Sequence, residues 1–432
     1  MVPKEFQTIT GLGNCPSDWL VKTADELTSK ITKGTTPPKT EIVSDSKIPF
    51  LRVNNLGFNG ELDTSSDMIF VTQEAHNGSL ARSIAYPGDI LMNIVGPPLG
   101  KIAMLGRDFD EYNMNQAIVI YRTVSSKVNK DYFLNFLSSE LAQQWLQSRS
   151  KKTSGQQNLT IQLCKELPVP TPPLPEQQKI AKILSTWDKA ISTTERLIEN
   201  SNQQKKALMH QLLTGKKRLL DESGKRFEGE WKERKLSNLG STFNGLTGKT
   251  KVDFGSGKKY IPYMNIFKNT FIDTDNLDYV NIDVDEKQNT VQFGDVFFTT
   301  SSETPEEVGM SSVLLKKTKE PIYLNSFCFG FRLFEIDKIA PAFIGYILRS
   351  SHVRRKIAIL AQGATRYNLS KVQLLKISIA LPSLEEQQKI ATVLTNADKE
   401  IELFEQQLAD LQQEKKALMQ VLLTGKKRVT VI

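Results

Sequence analysis

Two stretches of the chain carry a narrow stripe of apolar side chains on a polar background. Successive stripe positions are four and three residues apart in turn, which is the spacing of a heptad seam on an α-helix. The first seam comprises Ile180, Leu184, Trp187, Ile191, Thr194, Ile198, Ser201, Lys205, Leu208 and Leu212. The second comprises Ile390, Leu394, Ala397, Ile401, Phe404, Leu408, Leu411, Lys415, Leu418 and Leu422. A seam this narrow favours a helix as partner over a broad core, so we predict two long helices that pair with each other and present their flanks to partner proteins.

The ends of both helices are marked by residue type. Pro175 and Pro382 precede the seams, whereas Gly215 and Gly425 follow them, each before Lys-Lys-Arg. Proline near a helix start and glycine just beyond its end are typical helix boundaries. About 38 residues at 1.5 Å each then give rods of roughly 57 Å.

The two helical stretches are copies of each other. Residues 176–218 and 386–428 align without a gap and share the strings EQQKIA, KKALM and LLTGKKR. Lys205 and Lys415 interrupt the two seams at the same heptad, and they either set the register of the pair or face a third partner. Fainter matches link Trp19 with Trp231, Gly88-Asp89 with Gly294-Asp295, and Asn158-Leu159 with Asn368-Leu369. The chain is therefore a duplication, and antiparallel pairing of its helices would give it an internal pseudo-twofold axis.

A variable region precedes each helical stretch, and its short apolar runs between Gly, Pro and Asn are typical of strands. The predicted strands are Pro49–Val53, Met68–Val71, Asp89–Val95, Lys101–Leu105 and Ala117–Arg122, then Tyr260–Asn265, Asp295–Thr300, Ser311–Leu315 and Phe327–Phe334. Helical spacing marks Asp131–Ser148 and Ala340–Ala361. We expect an α+β fold in which two mixed α/β domains, 1–166 and 219–375, alternate with two helical regions, 167–218 and 376–432.

Charge and cysteine usage narrow the class of protein. Lys plus Arg is 56 and Asp plus Glu is 48, a net charge of +8 that permits a nucleic-acid partner without requiring one. The three cysteines are far apart in the sequence, which argues against a disulfide framework and fits a reducing cytoplasm. We expect neither a signal peptide nor a membrane span.

A search for catalytic chemistry finds no convincing site. Gly248-Lys249-Thr250 has the end of a phosphate loop, but Phe243 stands where the leading glycine is needed. The loop that grips a flipped base in an amino-methyltransferase has only Gly96-Pro97-Pro98-Leu99 as its nearest match. The three histidines are not at metal-ligand spacing. The sequence therefore predicts no catalytic residue and no metal or cofactor in this chain, with an unread methyltransferase or nuclease as one alternative.

Residue types that contact DNA cluster between the predicted strands. Arg, Lys, Asn and Gln read base edges, while Lys, Arg, Ser and Thr bind phosphates. The candidates in the first region are Arg52, Asn54, Asn55, Asn93, Lys101, Asn115, Gln116, Lys151, Lys152, Gln156, Gln157 and Asn158. Those in the second are Lys249, Lys251, Asn265, Thr300, Ser301, Ser302, Asn325, Arg366, Tyr367 and Asn368. Arg52 aligns with Asn265, and because Arg suits guanine and Asn suits adenine, this exchange is what two different half-sites require.

At this point the chain resembles the specificity subunits of type I restriction–modification systems. The resemblance rests on PPLPEQQKIAKIL (172–184), ALPSLEEQQKIATVL (380–394), the LLTGKKR ends and the paired anchors outside the helices. It implies that each domain reads one half of a split double-stranded DNA target, that the helices fix the gap, and that two methyltransferase subunits dock on them. Motor-nuclease subunits can join. S-adenosylmethionine, ATP, magnesium, adenine methylation and cleavage would belong to those partners.

A coiled-coil scaffold with two protein-binding or glycan-binding domains is the remaining alternative, and the distribution of charge keeps it open. Residues 176–218 carry nine basic and four acidic side chains, and residues 386–428 carry seven of each. Of the net +8, only +3 is therefore left for the rest of the chain. Steep salt dependence of retention on DNA would separate the two interpretations.

Overall fold

The computed structural model describes residues 5–58, 60–63, 68–153, 156–363 and 366–430. The chain divides into two compact units. The first unit is Met1–Thr194 with Gln406–Ile432, and the second is Glu195–Glu405. Each unit thus contains a mixed domain, the start of one long helix and the end of the other.

The first unit contains short strands. They are β1 (Phe6–Ile9), β2 (Gly13–Pro16), β3 (Leu20–Thr23), β4 (Thr28–Lys33), β5 (Ile42–Val43), β6 (Ile48–Leu51), β7 (Ile69–Val71), β8 (Ile90–Asn93), β9 (Val95–Gly96), β10 (Ile102–Met104), β11 (Asn113–Met114), β12 (Ile118–Thr123), β13 (Lys151–Thr153), β14 (Gln156–Asn158) and β15 (Pro168–Thr171).

The strands of the second unit are β16 (Lys232–Lys235), β17 (Gly240–Asn244), β18 (Phe254–Ile261), β19 (Asp278–Val280), β20 (Val296–Thr299), β21 (Ser301–Ser302), β22 (Ser311–Val313), β23 (Tyr323–Leu324), β24 (Cys328–Leu333), β25 (Tyr367–Asn368) and β26 (Ser378–Leu381).

The α-helices, in chain order, are α1 (Ala24–Leu27), α2 (Gln73–Asn77), α3 (Lys130–Ser138), α4 (Glu140–Ser148), α5 (Ile161–Glu166), α6 (Leu174–Leu212), α7 (Tyr263–Lys268), α8 (Pro341–Arg349), α9 (Ser351–Ile359), α10 (Lys371–Leu374) and α11 (Leu384–Leu422). Helices α6 and α11 have 39 residues each. Within the described residues, we find no helix with the length and apolarity that a membrane crossing needs.

The main sheets of the two units have the same strand order. The main sheet is β10-β8-β12-β4 in the first unit and β22-β20-β24-β17 in the second. A parallel pair forms in each unit as well, β6 with β11 and β18 with β23. The small pairs β9–β14 and β21–β25 also correspond. The duplication predicted from the helical strings therefore extends to the sheet framework of both domains.

One ion pair in each unit explains why Gly-Asp recurs. Asp89 accepts hydrogen bonds from Arg122 Nε at 3.0 Å and Nη2 at 2.7 Å. Asp295 accepts the same bonds from Arg332 at 2.8 and 2.6 Å. These hydrogen bonds raise the pKa of both arginines. Gly88 precedes the carboxylate with φ +93°, a conformation that glycine adopts without strain.

The recurring helical strings meet within each unit. In the first, Glu176 of α6 accepts hydrogen bonds from Arg428, which follows α11, at 2.7 Å to each oxygen. In the second, Glu386 accepts the same pair from Arg218 at 2.6 and 2.7 Å. The EQQ string of one copy thus binds the GKKR string of the other.

The long helices also contact each other further along. Trp187 Nε1 donates to Glu414 Oε2 at 3.3 Å, and the adjacent Lys415 pairs with Asp188. In the second unit, Lys205 pairs with Asp398. All twenty predicted seam positions are buried or half-buried. Each seam lysine therefore meets a carboxylate of the opposite helix within its own unit.

Two predicted elements differ from the structure for local reasons. Residues 260–265 were expected as a strand, but β18 ends at Ile261 and α7 begins at Tyr263, because Pro262 lacks the N–H that a ladder needs and suits a helix start. The single helix expected at Asp131–Ser148 is divided at Ser139, whose hydroxyl accepts from Ala142 N and begins a new helix. Ser350 divides α8 from α9 in the same way.

Candidate nucleic-acid interface

Three polar segments of the first unit lie side by side. They are the loop 94–101 between β8 and β10, the turn 115–117 after β11, and the β13–β14 pair. Ile94 N donates to Ala117 O at 2.8 Å, and Leu159 N donates to Ile94 O at 2.9 Å. We call these segments the first loop cluster.

The second unit brings the equivalent segments together. They are the loop 300–310 between β20 and β22, the turn 325–327 after β23, and β25 with Arg366 before it. Thr300 N donates to Phe327 O at 3.0 Å, and Leu369 N donates to Thr300 O at 2.8 Å. These segments form the second loop cluster.

Many of the predicted DNA-contacting residues lie on the two clusters. The first cluster carries Lys101, Asn115, Gln116, Lys151, Lys152, Gln156, Gln157 and Asn158. The second carries Thr300, Ser301, Ser302, Asn325, Arg366, Tyr367 and Asn368. Segments far apart in the sequence, such as β9 and β14, are therefore brought together by strand pairing.

Asn93 was predicted to contact DNA, but it is fully buried. Its Nδ2 donates to Pro98 O at 2.8 Å and to Val95 O at 3.2 Å, and its Oδ1 accepts from Lys101 N at 2.9 Å. Both polar ends of the amide are used by the backbone of loop 94–101. Asn93 therefore shapes this loop from beneath and does not present an edge to DNA.

Asn265 was also predicted to contact DNA, and this prediction is wrong. Its surroundings also change the alignment of the two units. The amide is buried, donates to Asp273 O and Asn276 O at 2.8 Å, and accepts from Asp273 N at 3.0 Å. Asn55 is also buried, and its Nδ2 lies 3.5 Å from Asp63 O, again eight residues further on. Asn265 is thus the counterpart of Asn55.

The strand register supports this correction. Leu51 pairs with Met114 in the first unit, and Ile261 pairs with Leu324 in the second. Residues 51 and 261 are therefore equivalent, which aligns Arg52 with Pro262. The predicted exchange of Arg52 for Asn265 between two half-sites is wrong, because it arose from an alignment three residues out of register.

Asn115 and Asn325 form the turns that carry their neighbours. Asn115 Oδ1 accepts from Ala117 N at 3.1 Å, and Asn325 Oδ1 accepts from Phe327 N at 2.8 Å. This is a side-chain-to-backbone turn that asparagine favours. The oxygen of each amide is therefore already used inside the protein.

Ser301 and Ser302 are less accessible than predicted. Both are buried because β21 pairs with β25, and the Ser302 hydroxyl donates to Glu307 at 3.1 Å. Thr300 is half-buried, whereas Arg366 and Asn368 are exposed. In this cluster the exposed side chains are the ones available to a ligand.

The remaining candidates of the first unit lie beside its cluster. Asn54 is exposed and Arg52 is half-buried just after β6, where Asn115 N donates to Leu51 O at 3.0 Å. In the second unit Lys251 is exposed, but Lys249 forms an ion pair with Glu286. Its charge is thereby neutralised within the unit, so Lys249 is a weaker phosphate ligand than predicted.

Two residues that sequence patterns did not single out belong to the clusters. Phe327 is 65% exposed at the tip of its turn, where the first unit has Ala117. Thr36 donates a hydrogen bond from its hydroxyl to Gln116 Oε1. An alignment anchored on Asn115 and Asn325 would have found Phe327, whereas nothing local in the sequence identifies Thr36.

The two clusters differ in charge. The first contains Lys101, Lys151 and Lys152, and the Lys101 ammonium lies 5.9 Å from the ring of Phe58. Loop 300–310 of the second contains Glu303, Glu306 and Glu307. The second cluster is therefore poorer in phosphate-binding charge than the first. In the described residues, no group of three or more His, Cys, Asp or Glu could hold a metal ion.

Comparison with known proteins decides the family. The model of the type I restriction modification DNA specificity domain matches residues 16–202 and again residues 228–413. The chain belongs to this family. The two matches fall on the two copies of the duplication, and type I specificity subunits are generally non-catalytic DNA-binding components of restriction–modification systems.

Curated type I specificity subunits are similar over much or all of the chain. The putative MjaX specificity subunit of Methanocaldococcus jannaschii is 27% identical over 446 aligned positions, which cover 97% of this chain and 96% of the relative. The MjaVIII specificity subunit of the same organism is 29% identical over 329 residues, covering 70% and 72%.

Solved structures of the type I family have the same fold. The specificity subunit from M. genitalium gives a TM-score of 0.54 at 16% identity, covering 98% of this chain and 99% of its own. A chain of a type I system solved to explain complex assembly and conformational transition gives 0.59 at 15% identity, covering 96% and 99%. At these identities the likeness concerns the fold, and it confirms the predicted mixed α/β class.

Proposed function

We propose that each unit of this specificity subunit reads one half of a bipartite double-stranded DNA target through its loop cluster. The observation that carries the proposal is the recurrence of one sheet framework under two different sets of loops. The strand orders of the main sheets agree between the units, whereas the clusters differ in the types of their exposed residues, in the length of their loops and in charge. A common framework with different loops suits two readers of different sequences.

Exposed polar side chains of the clusters supply the contacts in this proposal. Gln116, Lys151 and Asn54 face solvent in the first unit, as do Arg366 and Asn368 in the second. Amide and guanidinium groups match base edges of the major groove, and ammonium groups bind phosphates. The buried amide of Asn93 acts by holding loop 94–101 in place, and those of Asn55 and Asn265 hold equivalent segments outside the clusters.

We further propose that α6 and α11 pair antiparallel over their length and act as a ruler between the half-sites. In each unit, contacts pair the beginning of one helix with the end of the other, as Glu176–Arg428 and Asp188–Lys415 do. Residue numbers rise along one helix while they fall along the other. The exposed flanks of this pair would dock two methyltransferase subunits, and motor-nuclease subunits would join them.

The chemistry in this proposal lies on the partners. S-adenosylmethionine would bind the methyltransferase subunits, which would flip and methylate the target adenines. ATP and magnesium would serve the motor-nuclease subunits. The specificity subunit itself contributes positioning, and its modest positive charge means that partner subunits would supply part of the phosphate contact.

Methylation mapping tests the proposal. The chain is co-expressed with the methyltransferase encoded beside it, and adenine methylation is read across the genome, with the methyltransferase alone as control. We expect a split motif with a fixed gap that requires this chain. A soluble complex that methylates no new motif would contradict the proposal. The absence of steeply salt-dependent retention on DNA would favour the scaffold.

A further inference from the structure

An arginine on α9 holds the loop of the second cluster from behind. Arg354 Nη1 donates to Gly309 O at 2.6 Å, and its Nη2 donates to Val308 O at 2.6 Å and Glu306 O at 2.8 Å. Three carbonyls within four residues of loop 300–310 thus converge on one guanidinium. Burial lowers the pKa of Arg354 to about 10, so the group remains protonated at neutral pH.

The first unit has a different residue at the same place. Ser139 and Ser350 are the N-caps of α4 and α9, and Gln143 N and Arg354 N bond to the carbonyls of these two serines. Gln143 Nε2 donates to Leu137 O at 2.7 Å, a carbonyl at the end of α3. The same nitrogen also donates to Met92 Sδ on β8 at 3.6 Å. The hydrogen bonds of the glutamine side chain therefore go to α3 and β8, whereas those of the arginine go to three carbonyls of loop 300–310.

The loop held by Arg354 is longer than its counterpart. Residues 94–101 connect β8 to β10, which is eight residues, while residues 300–310 connect β20 to β22, which is eleven. Val308 is buried in the core of the second unit, whereas the side chains of Glu303, Thr304 and Glu306 are exposed. Residues 303–306 therefore form a tip with exposed side chains, and the base of this tip is fixed by Val308 and Arg354.

A reading loop has to keep one shape, because a misplacement of about 1 Å removes the geometry of a base contact. Backbone carbonyls that turn inward without partners would disfavour the observed shape of this loop. One guanidinium supplies donors to all three at once, which a glutamine amide cannot do. The shape of the longer loop therefore depends on the arginine.

We propose that Arg354 is a positioning residue for base selection by the second unit, and that the tip 303–306 which it fixes contacts the DNA half-site of that unit. This inference rests on the proposed function. Arg354 itself does not reach DNA. Its contribution is the shape of a loop tip that the shorter counterpart in the first unit lacks.

The test is the methylation motif of the complex with R354Q, the variant that installs the residue of the first unit. We expect one half of the motif to lose about tenfold of its discrimination at one or more positions, while the other half keeps its discrimination. T304A/E306A, which alters exposed side chains only, is expected to relax the same half. Q116A, in the first cluster, is expected to relax the other half.

R349Q is the matched control. Arg349, on α8 of the same hairpin, donates to the carbonyls of Ser311, Ile266, Phe267 and Asn269, and its acceptors lie outside the loop tip. Its loss is expected to lower the unfolding temperature of the complex and to leave both halves of the motif unchanged.

Three outcomes would overturn the inference. They are an intact motif with R354Q, equal relaxation of both halves, and an intact motif with T304A/E306A. If R354Q does not fold, T304A/E306A decides alone. A wild-type complex that methylates no split motif would instead contradict the proposed function, so the two failures are distinguishable.

Discussion

At the residue scale, buried asparagines stabilise irregular segments by bonding to their backbone groups. Asn265 satisfies two carbonyls and one N–H of the segment that follows α7. An amide offers donors and acceptors together, which lets one side chain replace several backbone partners. Removing it leaves those backbone groups unpaired in a buried place.

We therefore expect N265A to lower the free energy of unfolding by about 2 kcal/mol, since unpaired buried groups cost about 1–3 kcal/mol. Lys268, exposed on the same short helix, provides the control K268A, which should change it by less than about 0.5 kcal/mol. Denaturant unfolding measures both. A variant N265A of unchanged stability with altered base preference would restore Asn265 to the interface.

The same chemistry explains why these residues were misassigned from the sequence. An amide suits a base edge and a backbone loop equally well, so residue type alone cannot separate the two roles. The decision for Asn93 depends on Pro98 and Lys101 folding back over it, and for Asn265 on a helix that begins at Pro262. Exposed positions such as Gln116 were identified correctly as polar loop residues, and their contact with DNA remains a prediction.

At the scale of elements, the ends of the two long helices are equivalent turns in unequal surroundings. Gly215 and Gly425 have φ of +69° and +68°, the left-handed conformation that glycine adopts without strain. A Cβ on Gly215 would meet the nearest atom, of Trp231, at 3.4 Å. A Cβ on Gly425 would lie 2.4 Å from Pro16 Cδ. The second site therefore combines backbone strain with a steric clash.

This difference predicts unequal costs for the same substitution. G215A should cost about 1 kcal/mol from the left-handed backbone alone. G425A should cost about 1–3 kcal/mol more, because Pro16 and Trp19 must also move. Thermal unfolding of the two variants, compared with wild type, measures the difference. Equal losses in unfolding temperature would show that the packing around Gly425 can relax.

The Glu176–Arg428 ion pair couples the two recurring strings, so replacing either residue should change the free energy of unfolding. The Glu176 side chain is 4% exposed, so replacing Arg428 leaves a buried carboxylate without its main partner. We expect R428M to cost about 3 kcal/mol. The double variant R428M/E176L removes the buried charge as well.

Denaturant unfolding of these variants measures the coupling. R428M/E176L should recover a large part of the stability that R428M loses, because the isolated charge is gone. R218M and R218M/E386L provide the matched pair in the second unit, where Arg218 binds Glu386. If the double variant is no more stable than R428M, the contact is not a coupled ion pair.

Periodicity predicted the long elements far better than the short ones. The heptad seams and the flanking Pro and Gly residues located α6 and α11 closely, because a long helix repeats its signal many times. Strands of two to four residues, such as β9 and β21, contain no repeated signal, and they exist only because distant segments pair with them. The loop clusters could therefore not be assembled from the sequence.

At the scale of the whole molecule, the proposed ruler predicts that helix length and target spacing change together. One heptad inserted into each long helix, after Thr194 in α6 and at the equivalent position after Phe404 in α11, preserves the seam because both helices gain the same seven-residue period. Seven residues lengthen a helix by about 10.5 Å. At about 3.4 Å per base pair this adds roughly three base pairs.

The mapped motif should therefore keep both half-sites and gain about three base pairs in its gap. The same heptad in α6 alone is the control, because it shifts the seam of one helix against the other and should abolish methylation or assembly. The half-sites are expected to stay because the insertions lie far along the chain from the loop clusters, whose shapes depend on Asn93 and Arg354. A double insertion that leaves the gap unchanged, or that changes the half-sites, would contradict the proposal that the helices set the spacing. Docking of partner subunits would then be their remaining proposed role.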